Sequence, residues 1–485
     1  MEKKVKHLIK INLPGGVISA GDLYEILVIA KKSNAEHVRF GNRQQLYFEV
    51  LSDQFEDLEY DMLSADIDYE VDADTYPNII SSYVADTVFN HDNWVKEGVY
   101  KDIFDLFNFK PKLKINLTDS NQTFVPYFTG NLNFISSDVS NYWYLYVRYP
   151  KTNILYCWPV LIYSDDIPDV CKKIESVIFL NKDRFYDQPE IDSELFYEQV
   201  MAKSNFVIQQ LARALKIPEF HLPYYEGFNK YGSKYWLGIY RRDELFAVDF
   251  LMDCCTLCTQ TRVGQLYITP WKSILIKGIE LADRNLWGII LNKYRVNVRH
   301  AANEMNWQIE DVCDYCLDLK KHLVRYFEEA DLRTYRLSFA IKKQPKTGLF
   351  GSIIIRRQQE VFEIIHTRDF NPNSKDFIVY KQNVKKQQLS KHLAELCNYF
   401  YSLQSADYEN AINMVADEED LSLTNSHVVY QCQSCLSIYD NTYGDIVNGI
   451  AAETDFETID EYLCPVCEAP KEAFVMMEQN LARSY

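Results

Sequence analysis

Cys432, Cys435, Cys464 and Cys467 form two C-x2-C hooks separated by 28 residues. Each hook offers two thiolates about one turn apart, so two hooks supply the four sulfurs that zinc or iron accepts at roughly 2.3 Å in a tetrahedral site. The spacing alone does not choose between the two metals. The other cysteines carry weaker signals. Cys254, Cys255 and Cys258 share a stretch with Phe250, Leu251 and Leu257, where cysteine acts as a small hydrophobe and is expected in a core. Cys313 and Cys316 fall in a segment whose spacing reads as an amphipathic helix. The nine histidines include no H-x-x-x-H or H-x-H pair, and no Gly-rich phosphate-binding loop occurs. Neither a histidine metal site nor direct use of NAD(P)H is therefore indicated.

The residues around the hooks narrow the chemistry. They read Cys432-Gln-Ser-Cys435, then Tyr439-Asp440 and Gly444-Asp445, then Gly449-Ile450, Thr454 and Phe456, then Tyr462-Leu-Cys464-Pro465-Val-Cys467, with Lys471 and Phe474 following. This pattern resembles rubredoxin, in which Y-D-x-x-x-G-D follows the first hook, G-I and T-x-F occupy the long loop, and C-P-x-C precedes a Lys and a Phe. The resemblance implies one iron ion cycling between ferric and ferrous states in a tetracysteine site, beneath aromatics such as Tyr439, Tyr443, Phe456 and Tyr462. The sequence departs from the family at Leu436 and Glu468, where glycine usually follows each hook. Glycine there permits positive φ and close N–H approach to the sulfurs, so the potential is expected to differ from the family's.

A chain of 485 residues with 47% hydrophobic content can bury several cores. No run of about 18 apolar residues occurs, and the basic start Met1–His7 leads into an alternating strand. A cytoplasmic protein with reduced thiols and no membrane span is expected. Of the net charge of −18, residues 406–485 carry −14, from sixteen acidic and two basic residues. Nucleic-acid binding is disfavoured, because phosphate contacts need clustered Lys and Arg. The acidic end suits steering toward a redox protein partner with a basic docking patch.

Before the hooks lies an internal repeat of strand–helix–strand–strand units. The first runs from a strand at 7–13 through Pro14-Gly-Gly16 and a helix at about 22–32 to a strand pair flanking Gly41-Asn-Arg43-Gln44. The second has a strand at 235–240, a helix at about 244–259, and strands at 265–269 and 273–277 around Pro270-Trp-Lys272. These units resemble the paired ferredoxin-like half-domains of sirohaem-dependent nitrite and sulfite reductases, with Lys110-Pro-Lys112-Leu-Lys114 resembling their R-K-F-K strand. The resemblance implies that Arg43, Lys112 and Lys114 contact an oxyanion or a tetrapyrrole; a third family arginine stands here as Pro77. Those enzymes hold a four-iron cluster through C-x5-C and C-x3-C, and neither spacing follows the second half-domain. Sirohaem and the cluster are therefore not expected.

The expected fold is α+β. Residues 1–69 form half-domain 1, 70–231 a reductase-like α/β segment, and 232–331 half-domain 2 with helices. Residues 332–405 add further α/β structure closed by a helix at about 385–403, 406–427 form an acidic linker, and 428–475 a rubredoxin-like domain. The function expected is one-electron transfer to or from a reductase of nitrogen or sulfur assimilation rather than catalysis. Two alternatives remain: a nitrite/sulfite-reductase-like oxidoreductase with a built-in rubredoxin donor, and a structural zinc protein.

Overall fold

Alternation along the strands places the first core. In Leu46–Leu51, Leu46, Phe48 and Val50 are buried while Glu49 is exposed. This strand pairs antiparallel with Lys6–Ile11 in the register Ile9↔Phe48 and Ile11↔Leu46, which brings the apolar residues onto one face. The helix Ala20–Lys32 lies between them in sequence. It starts at Ser19, whose side chain accepts the Asp22 N–H at 3.0 Å, and it buries Leu23, Ile26, Leu27 and Ala30 on one face. The computed structural model describes residues 5–89, 93–344, 348–419, 427–445 and 447–479. They divide into two compact units, Met1–Tyr399 and Phe400–Tyr485.

In the first unit the two repeats each build a five-stranded sheet, and each sheet borrows a strand from the other repeat. Phe246–Ala247 of the second pairs with His37–Phe40 of the first, and Val17–Ser19 of the first pairs with Gln265–Ile268 of the second. Leu23, Leu27 and Phe48 share one core with Leu237, Phe250 and Ile274. Cys254, Cys255 and Cys258 are buried in that core, as their apolar neighbours imply, and burial pushes the Cys255 thiol up to about 12.

The repeat extends beyond these sheets, which the sequence did not reveal. Ile80–Ser81, Ile115–Thr118 and Leu132–Ser136 run parallel, and Tyr142–Arg148 then pairs antiparallel with the last of them. Trp307–Ile309, Phe339–Lys342 and Ile353–Gln358 repeat that parallel run, with Val361–Thr367 antiparallel. The first unit is thus built from two half-domain sheets and two mixed sheets of matching pattern.

The last helix differs from expectation. It runs from Leu389 to Glu419, crossing the division between the units, with Leu389, Leu393, Leu396, Cys397 and Phe400 buried at helical spacing. Residues 406–419 contain no Gly or Pro and are rich in Ala and Glu, so helix propensity outweighs the polarity that suggests a linker. The remainder of the acidic segment, 420–426, and residues 345–347 of the Gln344-Pro-Lys-Thr-Gly348 stretch, whose composition predicts a turn, lie outside the described residues. Among the described residues no helix is long and apolar enough to cross a membrane.

Candidate metal centre

In the second unit His427–Cys432 is the central strand of a three-stranded sheet, between Ile438–Tyr439 and Phe474–Gln479. The strand ends at Cys432, directly opposite Phe474, and the chain turns back at once. The Cys432 N–H donates to Ser437 O at 2.8 Å and the Leu436 N–H to Cys432 O at 2.9 Å. The second hook repeats the turn: the Cys464 N–H donates to Ala469 O at 2.8 Å and the Glu468 N–H to Cys464 O at 2.9 Å. Both knuckles have left-handed backbone at the positions where the rubredoxin pattern usually has glycine. Leu436 adopts φ +64° and Glu468 φ +56°, so the shape survives without glycine at a strain cost of about 1–2 kcal/mol each.

The knuckles bring the four sulfurs within 4.8 Å of one another. Cys432 Sγ lies 3.7 Å from Cys467 Sγ, and Cys435 Sγ 3.4 Å from Cys464 Sγ. A tetrahedral ion bonded to sulfur at 2.3 Å separates its ligands by roughly 3.8 Å, so the site fits a single tetrathiolate ion. Burial pushes Cys464 up, but the Ser437 hydroxyl and the Cys467 and Val466 N–H groups outweigh it and hold the thiol at about 6. Cys432 is also held below its ordinary value, because the N–H groups of Cys435 and Ser434 overcome its burial. The Ala469 N–H favours the Cys467 thiolate, yet crowding by Cys435, Cys464 and Cys432 pushes that thiol up to about 12. The protein dipoles therefore stabilise part of the negative charge and leave the rest for a cation. Cys432 and Cys464 are buried, Cys435 is half-buried and Cys467 is exposed, so the site has one open side.

Behind it, Tyr439, Phe456 and Tyr462 form the small core, packed by Tyr430, Ile450 and Phe474. The Tyr439 hydroxyl donates to Thr454 O and the Tyr462 hydroxyl to Asp445 Oδ2, both at 2.7 Å. Lys471 donates to the carbonyls of Glu457 and Ile459 and sits over the Phe456 ring. Tyr443 departs from expectation: it is 76% exposed and does not cover the site. Ser437 was not singled out from the sequence, yet its Oγ lies 2.9 Å from Cys464 Sγ and 3.2 Å from Cys435 Sγ. A small hydroxyl two residues past a hook is the available signal.

In the first unit, Arg43 and Lys114 line one cavity of about 270 Å³, together with Asp74, Glu310 and Asp311. Arg43 is buried and largely committed. Its Nε and Nη2 donate to Asn78 O at 3.1 and 2.6 Å, Nη2 also to Ile115 O at 2.9 Å, and Nη1 to Asn116 Oδ1 at 3.2 Å. Burial lowers Arg43 to about 10; burial and the Arg43 charge lower Lys114 to about 8. Lys112 is exposed and does not line this cavity, and Pro77 lines a different one. The turns that carry Arg43 and Trp271 are equivalent. Gln44 and Lys272 both have positive φ, and Lys272 is locked to Glu244 at 2.9 Å and Asp311 at 3.4 Å.

The first unit has a known counterpart. The NirA protein of Mycobacterium tuberculosis shares the fold with a TM-score of 0.61 over 80% of each chain, at 14% identity. The architecture expected from the two half-domains is therefore present. The Rubredoxin family model matches residues 429–474. Rubredoxin of Megasphaera elsdenii is 44% identical over 50 residues, 10% of this chain and 94% of that protein. Rubredoxin-1 of Pseudomonas putida is 43% identical over 51 residues, and this chain spans 29% of its length. Through a domain whose four cysteines the fold gathers into one cluster, the chain belongs to the rubredoxin family.

Proposed function

We propose that this chain is a one-electron carrier, and that Cys432, Cys435, Cys464 and Cys467 hold the iron ion that exchanges electrons with a protein partner. The observation that carries this reading is a tetrathiolate-sized sulfur cluster with a single exposed ligand, Cys467, on a domain of rubredoxin sequence. When bound, iron supplies reversible one-electron chemistry without proton uptake at the metal. The protein does the rest. Tyr439, Phe456 and Tyr462 exclude water from the inner side, while the N–H groups of the two knuckles and the Ser437 hydroxyl direct positive dipole at the sulfurs. Cys467 offers the outlet through which a docked partner would couple.

The partner inferred is a redox protein with a basic docking patch, complementary to the −14 charge of residues 406–485. The NirA-like fold of the first unit supports a place beside a reductase of nitrogen or sulfur assimilation, an argument from fold alone. A cytoplasmic setting belongs to this reading, because a site needing four free thiolates is maintained where thiols stay reduced. The reading also holds that the body works without sirohaem or a four-iron cluster. The second reading, a reductase with its own rubredoxin donor, draws on Arg43 and Lys114 sharing a cavity.

Absorption of the full chain, purified without reconstitution, tests these readings together. Visible charge-transfer bands that bleach with dithionite are expected, with about one iron per chain. Stoichiometric zinc and a colourless protein would overturn the carrier reading. A Soret band together with turnover of nitrite or sulfite by reduced methyl viologen would replace it with the reductase.

A further inference from the structure

A second cavity of about 360 Å³ adjoins that of Arg43 and Lys114, the two sharing Gly348 and Leu349 in their walls. Four cations line it: Arg148, Lys342, Arg356 and Lys375. Arg356 is answered by Glu363, 3.0 Å away. Among the described residues no ion pair holds Arg148, Lys342 or Lys375. Arg148 donates to Thr129 O at 2.9 Å, and the Lys375 ammonium lies 5.3 Å from the centre of the Phe350 ring. The lining contains no carboxylate, and apart from Asn153 its remaining side chains are apolar, with Phe128, Leu155, Ile354, Ile365 and Phe377 among them.

Half-buried like charges facing one space are unfavourable unless something neutralises them. Their effect on one another is visible. Burial, then Arg148 and Lys342, lowers Lys375 to about 7, and burial, then Arg356 and Arg148, lowers Lys342 to about 8, with Glu310 the acid that reaches Lys342. The arrangement is the reverse of that around Lys272, a buried lysine held by Glu244 and Asp311. The positions come from three segments distant in sequence: the end of Tyr142–Arg148, the end of Phe339–Lys342, and the loop before Phe377–Val384. Gly348 closes the gap, since a Cβ there would stand 3.2 Å from the Arg148 guanidinium.

We propose that this cavity is a binding site for a small anion, a phosphate- or carboxylate-type group carried on an apolar body. Arg148, Lys342 and Lys375 would hold the charged group, and Phe128, Ile354 and Phe377 the apolar part. The volume suits a metabolite-sized ligand.

Pyridoxal 5′-phosphate serves as a probe, because it combines a phosphate, an aromatic ring and an aldehyde that condenses with a neutral lysine amine, releasing water, to give an imine that borohydride reduces and traps. The full chain is labelled at pH 7.5, digested and mapped by mass spectrometry, with inorganic phosphate or malonate as competitor and potassium chloride at matched ionic strength as control. Saturable labelling at Lys375 or Lys342 is expected, with at least tenfold protection by one competitor and none by chloride; which competitor protects distinguishes phosphate from carboxylate. Arg148→Gln should raise the concentration for half-labelling at least tenfold without altering the visible bands of the metal domain. If Arg148→Gln does not fold, Lys342→Gln gives the same reading at Lys375. Labelling spread over exposed lysines such as Lys31 and Lys234, or protection by chloride equal to that by phosphate and malonate, would overturn the proposal.

Discussion

Leu436 and Glu468 keep the left-handed backbone of the two knuckles with side chains that pay a steric penalty there. Leu436→Gly should therefore raise the stability of the metal domain by up to about 1 kcal/mol, since relieved strain exceeds the added entropy of the unfolded chain. Leu436→Val should lower it by about 1–2 kcal/mol, because a β-branched residue tolerates positive φ least. Guanidinium titration followed at the visible band reads both, and equal stability of the two variants would show that the backbone is not what limits this position. Ser437→Ala removes a hydroxyl 2.9 Å from Cys464 Sγ. The hydrogen bond is stronger to the more negative reduced site, so its loss should move the midpoint potential negative by on the order of 20–60 mV; a positive shift would contradict this. Asp445 adds a pH signature. Burial raises its pKa, but the Tyr462 hydroxyl, the Asn448 amide and the Asn448 and Val447 N–H groups more than offset this. A carboxylate held low contributes stability that is fully present above the unfolded value of about 3.9 and disappears as pH falls through the folded one. Asp445→Asn should thus cost stability at pH 6, and the gap to the native chain should close below about pH 4.

Elements decide whether such residues can act. The strand Phe474–Gln479 pairs with His427–Cys432 along its whole length and ends the register at Cys432↔Phe474. Ending the chain after Ala473 should therefore release the first knuckle and make the metal exchange at least tenfold faster with a chelator, a rate that absorbance follows directly. An unchanged rate would mean that the loop core alone sets the cysteines. Gly444 has φ +68°, and a Cβ there would stand 2.4 Å from Ala451 O, beside the Asp445–Ile450 bridge. The pattern G-D followed by G-I was legible in the sequence through its resemblance to rubredoxin, and the contacts that require it are local. The hooks were legible from their own spacing, two thiolates about one turn apart. The reach of the helix as far as Glu419 was not, since a run of acidic residues reads equally as a solvated helix face and as a linker.

Across the whole molecule, charge is segregated: −14 of the −18 falls in residues 406–485. Electron transfer to the physiological partner should slow roughly tenfold or more between 50 and 500 mM salt, mainly in association. Neutralising the exposed Asp460, Glu461 and Glu468 together should weaken it more than neutralising Asp417, Glu418 and Glu419. A salt-independent rate would make the docking contact apolar. The same scale shows where sequence reasoning stops. The residue type of Arg43 was visible, but its use was not, because the carbonyls of Asn78 and Ile115 that occupy it arrive from segments distant in the chain. The second pair of mixed sheets escaped notice because their likeness lies in strand direction and order, which composition does not encode.

The reciprocal loan of strands between the half-domains has a consequence during synthesis. Val17–Ser19 leaves the ribosome long before Gln265–Ile268, the strand it pairs with, exists. At translation rates of about 5–20 residues per second the delay is roughly ten to fifty seconds. Over that interval the first half-domain is an incomplete sheet with bare edges, open to pairing with another nascent chain. Yield from cells should accordingly depend on holding chaperones and on slow growth temperature more than the stability of the finished protein would suggest, and the N-terminal half expressed alone should aggregate rather than fold.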